Sequence, residues 1–149
     1  MDDFDRPLSP RGRKETAEAA AWAAERFLHH HVGNPGAFYT SPALRTRETA
    51  GIAAAAWRFD LKNLRHPGSL YLPAPEELLE ILWQQPEDLS FLALCSHNPG
   101  LTLLGSWLFG GIPDGLAPAG IMLGRFDVGT WPEVQKNRGT LLEFRNPSS

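Results

Sequence analysis

Ala37-Phe38-Tyr39-Thr40-Ser41-Pro42-Ala43-Leu44-Arg45-Thr46-Arg47-Glu48-Thr49-Ala50 passes from a short apolar run, through Ser-Pro, into an Ala-rich segment that continues to about Trp57. A brief run rich in aromatic and β-branched side chains reads as a strand. Proline suits the first helical position because its missing N–H is not needed there, and a serine just before it can cap the exposed amides. Strand, turn and helix in this order form the building unit of an α/β domain. Ligands of such domains bind where strands end and helices begin.

The same punctuation recurs outward from this stretch. Ser9-Pro10, Ala74-Pro75 and Asn98-Pro99 each precede an amphipathic or Ala-rich run, so four helices are predicted: about Pro10 to His30, about Pro42 to Trp57, Pro75 to Gln84, and one starting at Pro99. The first offers Ala17, Ala20, Ala24, Phe27 and Leu28 as an inner face and ends before Gly33-Asn34-Pro35; the fourth presents Leu103, Leu104, Trp107 and Leu108. Between the helices, Ala37 to Thr40, roughly Leu61 to Leu64, and Ser90 to Cys95 read as strands, followed by Ile121 to Val128 and Thr140 to Arg145. Alternation of strand and helix predicts a three-layer α/β sandwich with a mainly parallel central sheet, to which the last two strands can be antiparallel additions. One feature is unusual for this class: only nine residues, most of them polar, precede Pro10, where a strand is expected.

A chain of 149 residues with 42% apolar content fits one domain spanning 1–149. The net charge of −3, from 14 basic and 17 acidic side chains mixed along the chain, gives no basic footprint, and no nucleic-acid partner is expected. The acidic start has no apolar core of a secretory signal and no later run approaches a membrane span, so a soluble, cytoplasmic protein without membrane association is expected. The single cysteine, Cys95, excludes an internal disulfide and a cysteine-based zinc cluster.

Two strand-to-helix junctions carry reactive side chains. Arg45 falls one turn into the second helix, with Thr49 a turn later, and His97 stands between the run ending at Cys95 and the capped helix at Pro99. A guanidinium and an imidazole at neighbouring strand ends can grip a tetrahedral oxyanion, one with a bidentate fork and the other with a directed N–H. Equally, Arg45 can pair with Glu48 on the surface while His97 caps its own loop.

The segment from Ser41 to Ala50 resembles the second motif of the histidine phosphatase superfamily, and Ser96-His97-Asn98-Pro99-Gly100 resembles its late Gly-His-Asn-Pro-Gly motif. The likeness is nearest to phosphohistidine phosphatases of the SixA type. Asp5 to Gly12, Leu70-Tyr71-Leu72 and Pro118-Ala119-Gly120 match in the same order, so the resemblance covers essentially the whole chain. It implies a phosphoglycerate mutase-like fold and hydrolysis of phosphohistidine or a small phosphate ester through a phosphohistidine intermediate, without metal or cofactor. Arg45 and His97 would be catalytic and, with Asn98, phosphate-binding; the partner would be a phosphorylated protein or a small phosphate ester. The pattern departs in two places. Ser96 replaces a glycine, and the family's first strand, ending in an Arg-His whose histidine is the nucleophile, has no counterpart after Met1. The chain therefore reads as truncated relative to the family and impaired as an enzyme. The alternative is a non-catalytic module that binds phosphate or phosphoprotein.

Other residues invite functional readings with ordinary alternatives. Arg65-His66 could be a displaced Arg-His pair, but Pro67 breaks the helix that should follow. His29-His30-His31 point in different directions on a helix and cannot converge on one ion. Cys95 lacks the arginine six residues later that a cysteine phosphatase loop requires, since that position is Leu101. Glu76 and Glu77 are candidate proton donors that already have a use in the first turn of a helix, where the dipole favours negative charge. Trp57, Trp83 and Trp107 read as packing.

Overall fold

The computed structural model describes residues 1–147, and its elements follow from the punctuation above. Helix α1 spans Pro10–His29, and Ser9 caps it: its Oγ accepts the Gly12 N–H at 2.9 Å. Strand β1 (Ala37–Thr40) leads to α2 (Leu44–Ala56), β2 is only Leu64–Arg65, α3 spans Pro75–Trp83, β3 spans Leu92–Cys95 and α4 spans Gly100–Phe109. Strands β4 (Ile121–Phe126) and β5 (Gly139–Arg145) close the chain. The parallel sheet has the order β2-β1-β3, whereas β4 and β5 pair antiparallel in a sheet of their own. This is the expected α/β class, with the last two strands set apart from the parallel sheet rather than added to its edge.

Side-chain alternation along the strands builds the layers. Phe38 of β1 and Ala93 and Cys95 of β3 turn to one face, where they meet Ala20, Ala23 and Phe27 of α1 and Ala50, Ala53 and Ala54 of α2. Tyr39, Leu92 and Leu94 turn to the other, against Leu78 and Leu82 of α3 and Leu104 and Leu108 of α4. Trp57 locks the first layer: it stacks on Phe38 with ring centroids 5.4 Å apart and donates its indole N–H to the Ala20 carbonyl at 3.0 Å.

The structure corrects three details. The buried face of α1 is Thr16, Ala19, Ala20, Ala23 and Phe27, while Ala17 is exposed and Leu28 stands 75% exposed. Alanines occupy nearly every side of this helix, so the sequence carries little phase information, and contact with α2 decides the rotation. The run Leu61 to Leu64 is mostly not a strand: Asp60 accepts the Lys62 N–H at 3.0 Å and winds Leu61–Asn63 into a 3-10 turn. Helix α2 starts at Leu44 rather than near Pro42, because Ser41 still belongs to the ladder, its N–H donating to the Cys95 carbonyl at 2.8 Å. No helix among the described residues is long and apolar enough to cross a membrane.

Strands β3 and β4 share no ladder. A pocket between them is lined by Leu94 and Cys95 of β3, Gly120 and Ile121 at the start of β4, and Ala20 and Ala53 from the helices.

Candidate active site

Parallel pairing of Thr40 with Cys95 brings the C-terminal ends of β1 and β3 level, and the next residues, Ser41 and Ser96-His97, leave the sheet side by side. Ser41 is fully buried and His97 is 7% exposed. Ser41 Oγ accepts the Ala43 N–H at 3.2 Å, and Thr46 Oγ1 donates to the carbonyls of Ser41 (3.0 Å) and Ala43 (2.8 Å). This bonding holds the turn before α2 and sends the Arg45 side chain across to β3.

There Arg45 Nη2 lies 3.2 Å from His97 Nδ1, and His97 Nε2 lies 2.7 Å from Ser41 Oγ. The guanidinium is always protonated and can only donate, so Nδ1 accepts and Nε2 carries the ring proton toward Ser41. Burial holds the His97 pKa below its ordinary value and the Arg45 charge adds to the effect, against a smaller opposing pull from Asp3. A neutral imidazole of defined tautomer results. Tyr71 meets it edge-on with ring centroids 5.5 Å apart, and Ser96 Oγ donates to the Leu70 carbonyl at 2.8 Å, tying the His97 loop to the Tyr71 turn.

The rest of the Arg45 fork is turned to the N-terminal segment. Nη1 donates to the Asp3 carbonyl at 2.8 Å, and Nη2 lies 3.2 Å from Asp3 Oδ2, which also accepts the Tyr71 hydroxyl at 2.8 Å. The Tyr71 hydrogen bond, followed among the lowering causes by the Arg45 charge, keeps the Asp3 carboxyl below the usual range; the same bond raises the Tyr71 phenol.

Of the residues singled out from sequence, Arg45 and His97 are thus brought together. The Asn98 side chain is engaged elsewhere: its amide donates to the Leu116 carbonyl, and its Oδ1 accepts the Thr102 N–H at 3.2 Å and hydroxyl at 2.7 Å. These bonds fasten the loop before β4 to the start of α4. Glu48 does not pair with Arg45; it accepts the Leu8 N–H at 2.8 Å and binds Arg13. Thr49 Oγ1 turns back to the Arg45 carbonyl at 2.9 Å.

Among the remaining candidates, Glu77 accepts the Ala74 N–H at 3.0 Å and serves the start of α3, while Glu76 is exposed. Arg65 lines a separate pocket with Phe59 and Gln85, and His66 is exposed after β2, across β1 from His97. His30 meets Glu143 at 2.7 Å. Burial pushes the Cys95 thiol up to about 11, as befits a core cysteine. Ser41, Tyr71 and Asp3 were not expected in the site. Ser41 carried the signal of a helix cap and a place at the head of the Ser41 to Ala50 motif, and Tyr71 only its place in a local motif match.

Comparison with known proteins agrees with the class that this arrangement suggests. Residues 2–66 match the model of the histidine phosphatase superfamily (branch 1), which covers the first helix, β1 and the whole Arg45 turn. The resemblance to that superfamily is borne out over the matched residues, and the expected fold is borne out by the SixA structures. The solved structure of SixA from Agrobacterium tumefaciens, assigned as a phosphohistidine phosphatase, superposes with a TM-score of 0.80 at 22% identity, over 99% of this chain and 87% of that one. The protein histidine phosphatase SixA complexed with tungstate gives a TM-score of 0.76 at 19% identity, over 97% of this chain and 86% of that one. Two uncharacterized proteins of Mycobacterium tuberculosis, from different strains, are each 27% identical over 97% of this chain and 91% of their own length.

Proposed function

We propose that this chain carries the phosphate-holding part of a histidine phosphatase site, acting on phosphohistidine or a small phosphate ester. The observation that carries the reading is the junction of Arg45 with a buried, neutral His97 at the ends of adjacent parallel strands. In such a reaction a histidine attacks phosphorus in line, and cationic and N–H donors hold the equatorial oxygens as charge redistributes. Arg45 supplies the fork. His97, turned from Ser41 to the phosphate, supplies the directed N–H, and Asn98 keeps the loop behind it in place. As the N–P bond forms, the bond from phosphorus to the substrate's imidazole nitrogen or ester oxygen breaks and that group leaves; water then attacks phosphorus, the N–P bond breaks, and inorganic phosphate departs with the histidine regenerated, without a metal or cofactor.

His97 is not the attacker, since its Nδ1 lone pair is taken by Arg45 and its Nε2 proton by Ser41. In the family that the sequence resembles the attacker is a histidine of an Arg-His pair at a strand end, and among the described residues no second histidine stands beside Arg45 and His97, since His66 lies exposed across β1. The chain of residues 1–149 on its own is therefore expected to bind phosphate without turning it over.

The test is hydrolysis of an aryl phosphate by this chain and by a version extended before Met1 with an apolar strand ending in Arg-His. Only the extended form should turn over, with an acid-labile phosphoenzyme, and Arg45→Ala should abolish its activity. An inert extended form that still binds phosphate through Arg45 would favour the second reading, a binding module without catalysis. That reading has in its favour that both His97 ring nitrogens are already engaged.

A further inference from the structure

The contacts of Asp3 are those of a ligand. Its carboxylate takes one donor from Arg45 and one from Tyr71, and its main-chain carbonyl takes a second donor from the same guanidinium. Beside it, Phe4 packs edge-on against Tyr71 with ring centroids 5.1 Å apart. Two residues beyond Arg6, the chain is pinned again, by the Leu8 N–H on Glu48 of α2 at 2.8 Å. The turn Asp3–Asp5 thus lies as a strap over the open side of the Arg45 fork.

We propose that this acidic turn is an internal carboxylate ligand of the Arg45 site, and that a phosphate must displace it to bind. The inference rests on the reading of Arg45 as a phosphate holder. A carboxylate and a phosphate both satisfy a guanidinium fork, and two anions at one fork repel, so the two cannot be held together. The strap is built to release. Asp3 is 53% exposed and Phe4 37% exposed, so water can take over their contacts, whereas Arg45 stays 27% exposed and is held by His97. Exposed ion pairs are weak, and a strap held by one such pair, the largely exposed hydrogen bonds from Arg45 and Tyr71 to Asp3 and one aromatic contact covers the site without sealing it. The apparent phosphate affinity falls by the fraction of molecules in which the site is open.

Calorimetric titration of the full chain with inorganic phosphate tests this. Phe4→Ala keeps every charge and loosens only the strap; it should tighten phosphate binding about threefold, and Asp3→Asn about three- to tenfold, the scale of an exposed charged contact. Asp2→Asn, which removes a neighbouring charge and no contact to Arg45, should change binding less than about twofold on the same scale. Arg45→Ala should lose binding. Tightening in Asp3→Asn with none in Phe4→Ala would mean simple charge repulsion and would overturn the strap. So would unchanged or weaker binding in both while Arg45→Ala still loses it, an outcome that leaves the site reading intact. Undiminished binding in Arg45→Ala would instead remove the site reading itself.

Discussion

Gly100 and Gly51 undergo the same chemical change, Gly→Ala, in opposite surroundings. A Cβ on Gly100, the first residue of α4, would stand 2.5 Å from the Pro73 carbonyl oxygen and 3.5 Å from Leu78 Cδ1. Ordinary carbon–oxygen contact begins near 3.3 Å, so one of two backbones must move by about 0.8 Å. Overpacking of that kind costs about 1–3 kcal/mol, and a helix start recovers little of it through propensity. Gly51, inside α2, has nothing within 4 Å of its would-be Cβ and should gain about 1 kcal/mol from helix propensity alone. The two variants should therefore differ by roughly 2–4 kcal/mol, or about 5–15 °C in Tm for a chain of this size. Urea unfolding followed by far-UV circular dichroism measures the difference, with the wild-type slope as the check that the unfolded state is unchanged. Because the displaced backbones include the loop that carries His97, Gly100→Ala should also weaken phosphate binding while Gly51→Ala leaves it alone. A Gly100→Ala variant as stable as the wild type would refute the argument that this glycine is kept for the approach of the Pro73 carbonyl.

Three further outcomes follow from other contacts. Glu143 of β5 receives Arg26 of α1 and His30, the residue that caps the end of that helix, at 2.7 Å each, and these bonds lower its pKa. Its contribution is therefore complete above the ordinary glutamate range and lost as pH falls through the lowered value, so Glu143→Gln should cost about 1–2 kcal/mol at pH 7 and progressively less in acid, read from urea midpoints across pH. Trp57→Phe removes the bond to the Ala20 carbonyl and part of a buried aromatic side chain, and calorimetric unfolding should report a loss of at least about 1–2 kcal/mol; no loss would mean the bond is idle. Cys95, partly buried with its thiol pushed to about 11, should react with a disulfide reagent at pH 8 more slowly in the native chain than in the unfolded one, and equal rates would contradict its packing against α1 and α2.

The layer order is legible in the sequence, because a proline stands at or within two residues of each helix start and Phe38-Tyr39 alternates across the sheet. What failed was phase and identity where the side chains say little. An alanine on every side of α1 hides which side is inner, and Leu61 to Leu64 looks apolar until Asp60 caps it. In the site, Arg45 and His97 stood out because their types and junctions suggest anion chemistry. Asp3 did not, since its role is created by a contact with Arg45 across 42 positions of chain, for which a single sequence offers no signal. Ser41 was read as the cap of α2, whereas the cap position is Ala43 and Ser41 stays in the ladder as the partner that sets the His97 tautomer, a role that depends on two strands lying in register.

The separation of the β4–β5 hairpin from β3 bears on how the domain comes apart. No ladder hydrogen bonds bridge β3 and β4, so the hairpin is attached to the rest through side-chain contacts on α1 and α4, the Glu143 bonds, and three bonds of its connecting loop: Asn137 N–H to the Trp107 carbonyl at 2.9 Å, the Trp83 indole to the Val134 carbonyl at 2.8 Å and the Trp131 indole to the Leu89 carbonyl at 2.9 Å. Such an attachment should make it a cooperative unit of its own, with amides in β4 and β5 exchanging with deuterium through partial opening while β1, covered on both edges, exchanges only when the whole chain unfolds.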